Sequence, residues 1–501
     1  MNDAGKPVSD FLRRLLIASP RDQPGQNHGR QEDDHGDVSV NGLVFHTGRL
    51  ALQVPFNFLN ANPFRTIGFF VLQIYLFFLM SRVVEYVDPQ QHYHLAFLAA
   101  TLAAVAACLG FTVGNAFDTK IGLALAAFSA WAIFELPFSS WRGGSFHTLM
   151  NTWLKSYVTY IIVVSLIVSF TQLRKALTCV AFATACIVFL SFKLGMTAEA
   201  DNRLSFESGM LANSNDLAMQ LILGLPFILY LALDSRRKLF VRIFFGGVVP
   251  VLLYVVLRTG SRAGLVALVG MAVMLFFRST GSRRWKMVIV AAVLAVCAPL
   301  VLNHDLRERY RTILTGTSGA HLSDVASSAA ESEMTRRQLI VHAIVLSAKH
   351  PVFGVGMDQF APASATLSTN SGQAAMWHPV HSFLLLVLAE TGIPGALFYT
   401  AAVVYCLIAV FRISRFTRDR KDLAVASEVS EALLYSYVGF CICMLFSPGA
   451  YLYHLPLMAA FVTALERFTR SQQQSEIVRP APQLVAGFYL GLPTRDRKGA
   501  Y

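Results

Sequence analysis

WHPVHSFLLLVLAETGIPG, residues 377–395, opens with two histidines three positions apart. It continues as an apolar run holding a single carboxylate, Glu390, and ends in a Gly-Ile-Pro-Gly breaker. As a helix, residues 381–391 rise only about 16 Å, roughly half the 30 Å of hydrocarbon that a span must cover. The stretch therefore reads as a short segment at a membrane face, with the true span starting after the breaker. Whether that reading stands depends on the rest of the chain.

Of 501 residues, 54% are hydrophobic and 14% charged, and the mean hydropathy is +0.50. That balance belongs to membrane proteins. Apolar runs of spanning length lie near 66–84, 95–113, 119–138, 152–170, 174–193, 214–233, 239–257, 261–278, 285–302, 395–412, 430–447 and 451–468. The expected fold is all-α, a polytopic membrane helix bundle of about twelve transmembrane helices. Residues 1–60 are expected to be a largely disordered cytoplasmic region, 61–302 spans one to nine, 303–394 a periplasmic loop with a short outer-face helix, 395–470 the last three spans and 471–501 a cytoplasmic tail. Within the first region, FLRRLLIA could touch the membrane surface.

The formal net charge of +12 would suit a nucleic-acid partner if it were gathered on one soluble face. It is not. Arg174 and Lys175, then Arg236, Arg237 and Lys238, then Arg283, Arg284 and Lys286, then Arg415, Arg418, Arg420 and Lys421 recur in alternate loops, so no nucleic acid is expected. The positive-inside rule makes those loops cytoplasmic, with both termini inside. It also settles the opening segment: a separate crossing by 381–391 would put the basic loop 414–422 on the wrong side. The first span is expected to direct insertion, since no cleavable leader precedes it. The seven cysteines all fall in expected spans, which implies no disulfide framework. Cys441 and Cys443 point about 200° apart on a helix and read as packing.

The connection 303–380 is too long for a linker and should be folded. Within it, a helix is expected over Glu331–Lys349, stopped by Pro351 and Gly354, with Leu339, Ile340, Ile344 and Val345 as its apolar stripe. No internal repeat is visible, which disfavours transporters built from inverted repeats.

Ionisable residues at a membrane edge are costly, so each raises a functional hypothesis. On the expected outer side these are Arg203, Arg258, Arg262, Arg336, Arg337, His378, His381 and Glu390. Arg262, in RTGSRAG, follows a glycine-loosened backbone and offers a fork for phosphate oxygens; the ordinary alternative is that it and Arg258 snorkel to headgroups. Arg203 shares its connection with Asn213 and Asn215, and could equally form a surface salt bridge. His381 can take a proton from a sugar hydroxyl near neutral pH, or could simply cap a helix. His378 has the same chemistry but precedes Pro379. Glu390, nine residues past His381 and about half a turn out of phase, reads as a buried hydrogen-bonded carboxylate locking helices together, and Glu135 likewise. No HExxH, P-loop, GxSxG or outward acidic metal pair is present. A site of arginines plus one histidine, with no metal or other cofactor, suits an anionic, lipid-bound substrate such as a polyprenyl diphosphate sugar.

RLSFESGMLANSNDLA, TGSRAGLVAL, HPVFGVGMDQF and HSFLLLVLAETGIPG follow one another here in the order seen in the O-antigen ligase and polymerase superfamily, which the chain resembles over roughly residues 60–470. The resemblance implies a GT-C type glycosyltransferase of the bacterial inner membrane. It would move glycan from undecaprenyl diphosphate to an acceptor, lipid A core or a growing glycan, at a periplasmic active site. It further implies His381 as the base, Arg203 and Arg262 as the diphosphate ligands, and Asn215 beside them. Ser214 stands where the family usually has proline, and Ser382 where asparagine is common. Protein glycosylation, and transport or flipping of a lipid-linked glycan, are the competing readings; a transporter would need polar residues along a path rather than on one face.

Overall fold

A computed structural model describes residues 63–87, 94–193, 195–197, 203–279, 324–372 and 374–478, with a few isolated positions between 281 and 310. The expected disordered region 1–60, the expected span near 285–302 and the end of the tail lie outside the described residues.

The described chain is almost wholly helical. Its helices are α1 (Pro63–Ser81), α2 (Val83–Val87), α3 (Leu95–Leu109), α4 (Lys120–Phe134), α5 (Arg142–Thr148), α6 (Leu154–Leu166), α7 (Phe170–Lys193), α8 (Ser214–Leu233), α9 (Leu239–Arg258), α10 (Arg262–Arg278), α11 (Asp324–Lys349), α12 (Phe360–Asn370), α13 (Phe383–Thr417), α14 (Ala424–Met444) and α15 (His454–Val478). Between α7 and α8 lies a small antiparallel pair, β1 (Gly195–Thr197) and β2 (Leu204–Phe206), with Gly195 opposite Phe206 and Thr197 opposite Leu204. The sequence reading had no strand there.

Among the described residues, α1, α7, α8, α9 and α13 are long and apolar enough to cross a membrane, and α3 and α4 are shorter apolar helices. The expectation of about twelve spans thus reaches further than the helices that qualify. α10 has 17 residues, α6 has 13, and α14 and α15 carry Glu428, Glu431, Glu466 and Arg467 within or beside their apolar stretches.

α8 is the axis of the bundle, with Leu217, Leu221, Ile222, Leu223, Phe227 and Leu231 buried. It packs on α7, α9, α10 and α14; α14 also packs on α10 and α13, and α13 on α4, α11 and α15. The basic loops meet at one end. Asp234 receives Arg174, Arg236 and Arg237, Arg236 also pairs with Glu428, and Arg278 bonds Ser414 and Glu431 while Arg418 donates to the Arg278 carbonyl. The charge pattern that sorted the loops in sequence thus collects them in space. α8, α10 and α13 all end there, so Asn215, Arg262 and Ser382, at their starts, stand at the opposite end.

α13 joins two helices across a break at Gly392 (φ 70°), with Pro394 just beyond. The broken turn does not leave its backbone groups unpaired, which in an apolar setting would be costly. The Ala389 and Glu390 carbonyls accept from the Val355 and Gly356 N–H groups, and the Ile393 N–H donates to the Pro351 carbonyl. Two glycines let the strands of backbone touch: a Cβ on Gly392 would lie 2.0 Å from the Val352 carbonyl oxygen, and one on Gly354 (φ 66°) 2.3 Å from the Glu390 carbonyl. Phe353 then stacks between Trp131 and Phe138.

α11 begins seven residues before the expected Glu331 start. Its buried stripe is Leu339, Ala343 and Leu346; the expected stripe fails at Ile340 and Ile344, which are exposed. Spacing alone could not decide between two apolar faces of the same helix.

Gly392→Ala should lower stability by roughly 1–3 kcal/mol or more from the left-handed backbone alone, whereas Gly247→Ala inside α9, where a Cβ meets nothing within 4 Å, should leave it unchanged or raise it by up to about 1 kcal/mol. Thermal unfolding of both variants in detergent, followed by tryptophan fluorescence, checks the pair; equal midpoints would overturn the account of the break.

Candidate functional site

The first cluster is built on two helix starts. Asn213 caps α8, its side chain accepting from the Asn215 N–H at 2.8 Å, and Ser261 caps α10, its hydroxyl accepting from the Gly264 N–H at 3.2 Å. These are ordinary N-caps. What joins them is Arg203, immediately before β2. Its Nε donates to the Thr259 carbonyl at 2.9 Å and its Nη2 to the Asn215 side-chain oxygen at 3.0 Å. Gly260 makes the approach feasible: its φ is +61°, and a Cβ there would sit 3.3 Å from Arg203 Cγ. Arg262 occupies the first turn of α10, and Arg258 the last turn of α9.

Arg203, Asn215, Arg258 and Arg262 are thus held around one Thr259–Gly260–Ser261 turn. The N-termini of α8 and α10 both carry partial positive charge; α8 has the Asp216 carboxylate in its own first turn, while at α10 the Arg262 guanidinium favours an anion. Fixing Arg203 through two of its donors orients it in advance of any ligand.

The second cluster is at the start of α13. His381 is half-buried and precedes the Ser382 N-cap, while His378 is exposed. His381 Nδ1 is buried and makes no hydrogen bond. Burial holds the imidazole pKa below its usual 6.5, and the positive charge of Arg336 and, less strongly, His378 push the same way, against the Pro379 backbone. At neutral pH the ring is therefore uncharged, the form a base requires. Of the arginine pair on α11, Arg336 is the one whose charge acts on His381; Arg337 is exposed.

Glu390 is fully buried and satisfied. Its Oε1 accepts from the Phe360 N–H, the first of α12, at 3.1 Å, and its Oε2 from the Tyr451 hydroxyl at 2.7 Å. The carboxylate caps α12 and ties the turn before α15 to α13. Tyr451 was invisible in the sequence, since nothing near Ala450 hints at a partner sixty positions earlier. Glu135 is different: both its carboxylate oxygens are buried without a hydrogen-bond partner. Among the described residues no group of three or more His, Cys, Asp or Glu side chains is placed to hold a metal ion.

Two exposed tryptophans, Trp141 and Trp377, stand at this end of the bundle, where such side chains mark a membrane interface. Exposed Phe134, Phe138 and Leu397 continue the apolar surface below them.

Residues 247–400 match the family model described as O-antigen ligase. Over this stretch the chain is similar to the O-antigen ligase family. The match contains three of the four motifs that carried the resemblance, with Arg258, Arg262, His378, His381 and Glu390. Arg203 and Asn215 precede it, and they join that stretch through the bond from Arg203 to Thr259. No curated protein matches the chain.

Replacing Arg336 by Gln should raise the His381 pKa toward 6.5, because a positive neighbour disfavours the imidazolium. Histidine-labelled NMR titrations, assigned by loss of the signal in His381→Ala, measure it; an unmoved midpoint would show that Arg336 does not act on the ring.

Proposed function

We propose that the protein is a glycosyltransferase of the ligase or polymerase kind. It takes an oligo- or polysaccharide from undecaprenyl diphosphate and passes it to an acceptor hydroxyl, with Arg203 and Arg262 binding the diphosphate and His381 acting as base. The observation that carries this is the Arg203 clasp, which brings two separately encoded arginine segments to one turn between two helix N-termini.

In the proposed reaction the acceptor hydroxyl attacks the anomeric carbon, its proton passes to His381, and the bond from that carbon to the diphosphate oxygen breaks. The leaving polyprenyl diphosphate keeps its electron pair, and Arg203, Arg262 and the helix dipoles stabilise that charge as it forms. His378 and Arg337 support the acceptor side, Asn215 and Arg258 the donor side, and Glu390 keeps α12 and α13 in register. The mechanism asks for no cofactor. The site faces the periplasm of a bacterial inner membrane, since the basic end faces the cytoplasm by the positive-inside rule. The partners are the lipid-linked donor, an acceptor that is lipid A core or a growing glycan, and surrounding lipid.

Purified protein given a polyprenyl diphosphate oligosaccharide should build a ladder on the lipid if it is a polymerase, or label lipid A core if it is a ligase. His381→Ala should lose about 10²–10⁴ in rate, and Arg262→Lys about 10²–10³, because one ammonium cannot replace the two-pronged fork. With His381 as base, the rate falls as pH drops through its lowered pKa, so the acid limb lies below 6.5; Arg336→Gln should move that limb to higher pH. Full activity in His381→Ala would remove the base from the scheme. Movement of the lipid across vesicles without transfer would instead make the protein a transporter.

A further inference from the structure

Arg82 joins α1 to the short helix α2, and its φ is 55°, a left-handed backbone that residues other than glycine seldom adopt and that gathers at functional places. From there its guanidinium lies 4.7 Å over the Tyr453 ring. Its Nη1 donates to Glu85 Oε1 at 2.8 Å and its Nη2 to the Met210 sulfur. Arg82 is thus held within the chain and is no further ligand for an anion.

Glu85 reaches further. Its other oxygen, Oε2, accepts from the Met210 N–H at 3.0 Å. Met210 opens a one-turn 3-10 helix, Met210–Ala212, that runs directly into Asn213, the cap of α8. At about 2 Å per residue, the grip on Met210 is about 6 Å of chain from that cap. Gly209 admits the carboxylate: its φ is 76°, and a Cβ there would lie 2.3 Å from Glu85 Oε2. Tyr86 holds the same stretch at its other end, with its ring 4.8 Å from that of Phe206 in β2 and its hydroxyl donating to the Ser208 carbonyl at 3.4 Å.

This platform is anchored on α8 itself. Tyr453 donates its hydroxyl to Gln220 Oε1 at 3.0 Å, and Gln220 Nε2 donates to the Met80 carbonyl at 2.8 Å. One network therefore fixes α8 at Gln220 and fixes the turn leading into α8 at Met210. Between those two points lie Asn213 and Asn215, and the Asn215 side chain is what receives Arg203.

We infer that Glu85 is a positioning residue for the anion site: its carboxylate sets the 209–213 turn and, through Asn213 and Asn215, the direction of Arg203. The inference rests on the reading of Arg203 as a diphosphate ligand. The competing role is an ordinary ion pair, in which Glu85 serves only to neutralise Arg82.

The two roles ask for different properties of the side chain, reach or charge. Glu85→Asp keeps the charge beside Arg82 but is one methylene too short for the Met210 N–H. Glu85→Gln keeps the reach and an acceptor oxygen but loses the charge. Binding of a polyprenyl diphosphate without glycan, displaced by inorganic diphosphate, is measured on the purified protein in nanodiscs and needs no turnover. Glu85→Asp should raise Kd about tenfold, equal to about 1.4 kcal/mol. Glu85→Gln should restore binding to the wild-type value while unfolding at a lower temperature, which separates positioning from stability. In the already weakened Asn215→Ala background, Glu85→Asp should add less than about twofold, because both changes act on the same guanidinium. Normal binding in both Glu85 variants, the opposite order of the two, or full additivity with Asn215→Ala overturns the positioning role; the proposed reaction then stands wherever the wild type transfers glycan. The expected binding pattern without transfer to any acceptor removes the reaction and leaves the positioning role in place.

Discussion

The backbone contact between residues 351–356 and 389–393, allowed by Gly354 and Gly392, fixes the half of the candidate site that holds His381. A helix that breaks inside or beside a membrane must find partners for the groups it frees, and here the loop 351–356 supplies them to residues 389–393. That contact holds the short first half of α13 apart from its long second half. His381 stands ahead of that short half, and α12 begins at Phe360, only four residues past the loop. Because the approach is backbone to backbone, neither glycine can be exchanged for a larger residue without moving the other segment.

Glu390 and His381, nine residues apart, show how one short helix assigns opposite roles to two ionisable groups. Glu390 points to a helix N-terminus and a tyrosine hydroxyl, and both its oxygens are bonded. A buried acid so satisfied is structural by the ordinary logic of desolvation. His381 has a buried nitrogen with no hydrogen bond and a positive residue nearby. The histidine thus keeps a nitrogen free of hydrogen bonds where the acid has both its oxygens bonded.

Much of this was legible in the sequence, for identifiable reasons. Gly-Ile-Pro-Gly announced the break in α13 because those residues have few other conformational options. Alternate basic loops announced the two ends because membrane insertion sorts charge. The clasp of Arg203 on Thr259 was half legible: both arginines stood out as unwanted charges, but the bond depends on the left-handed Gly260 turn, which no periodicity reveals. The buried face of α11 was not legible, since Leu339 and Ile340 are equally apolar and only packing on α12 and α13 chooses between them. Nor were β1 and β2, three residues each, too short to carry an alternating pattern.

The order of the helices gives the site its charge. α8, α10 and α13 all start at the end away from the basic loops, so their positive dipole ends lie on the side of the bundle that holds Arg203, Arg262 and His381. α12 shows the alternative within the same fold: its N-terminus is neutralised by Glu390. At α8 the first turn holds Asp216, while at α10 it holds the Arg262 guanidinium. Two helix starts, those of α12 and α8, thus meet a carboxylate of the chain itself, whereas the start of α10 carries the Arg262 guanidinium.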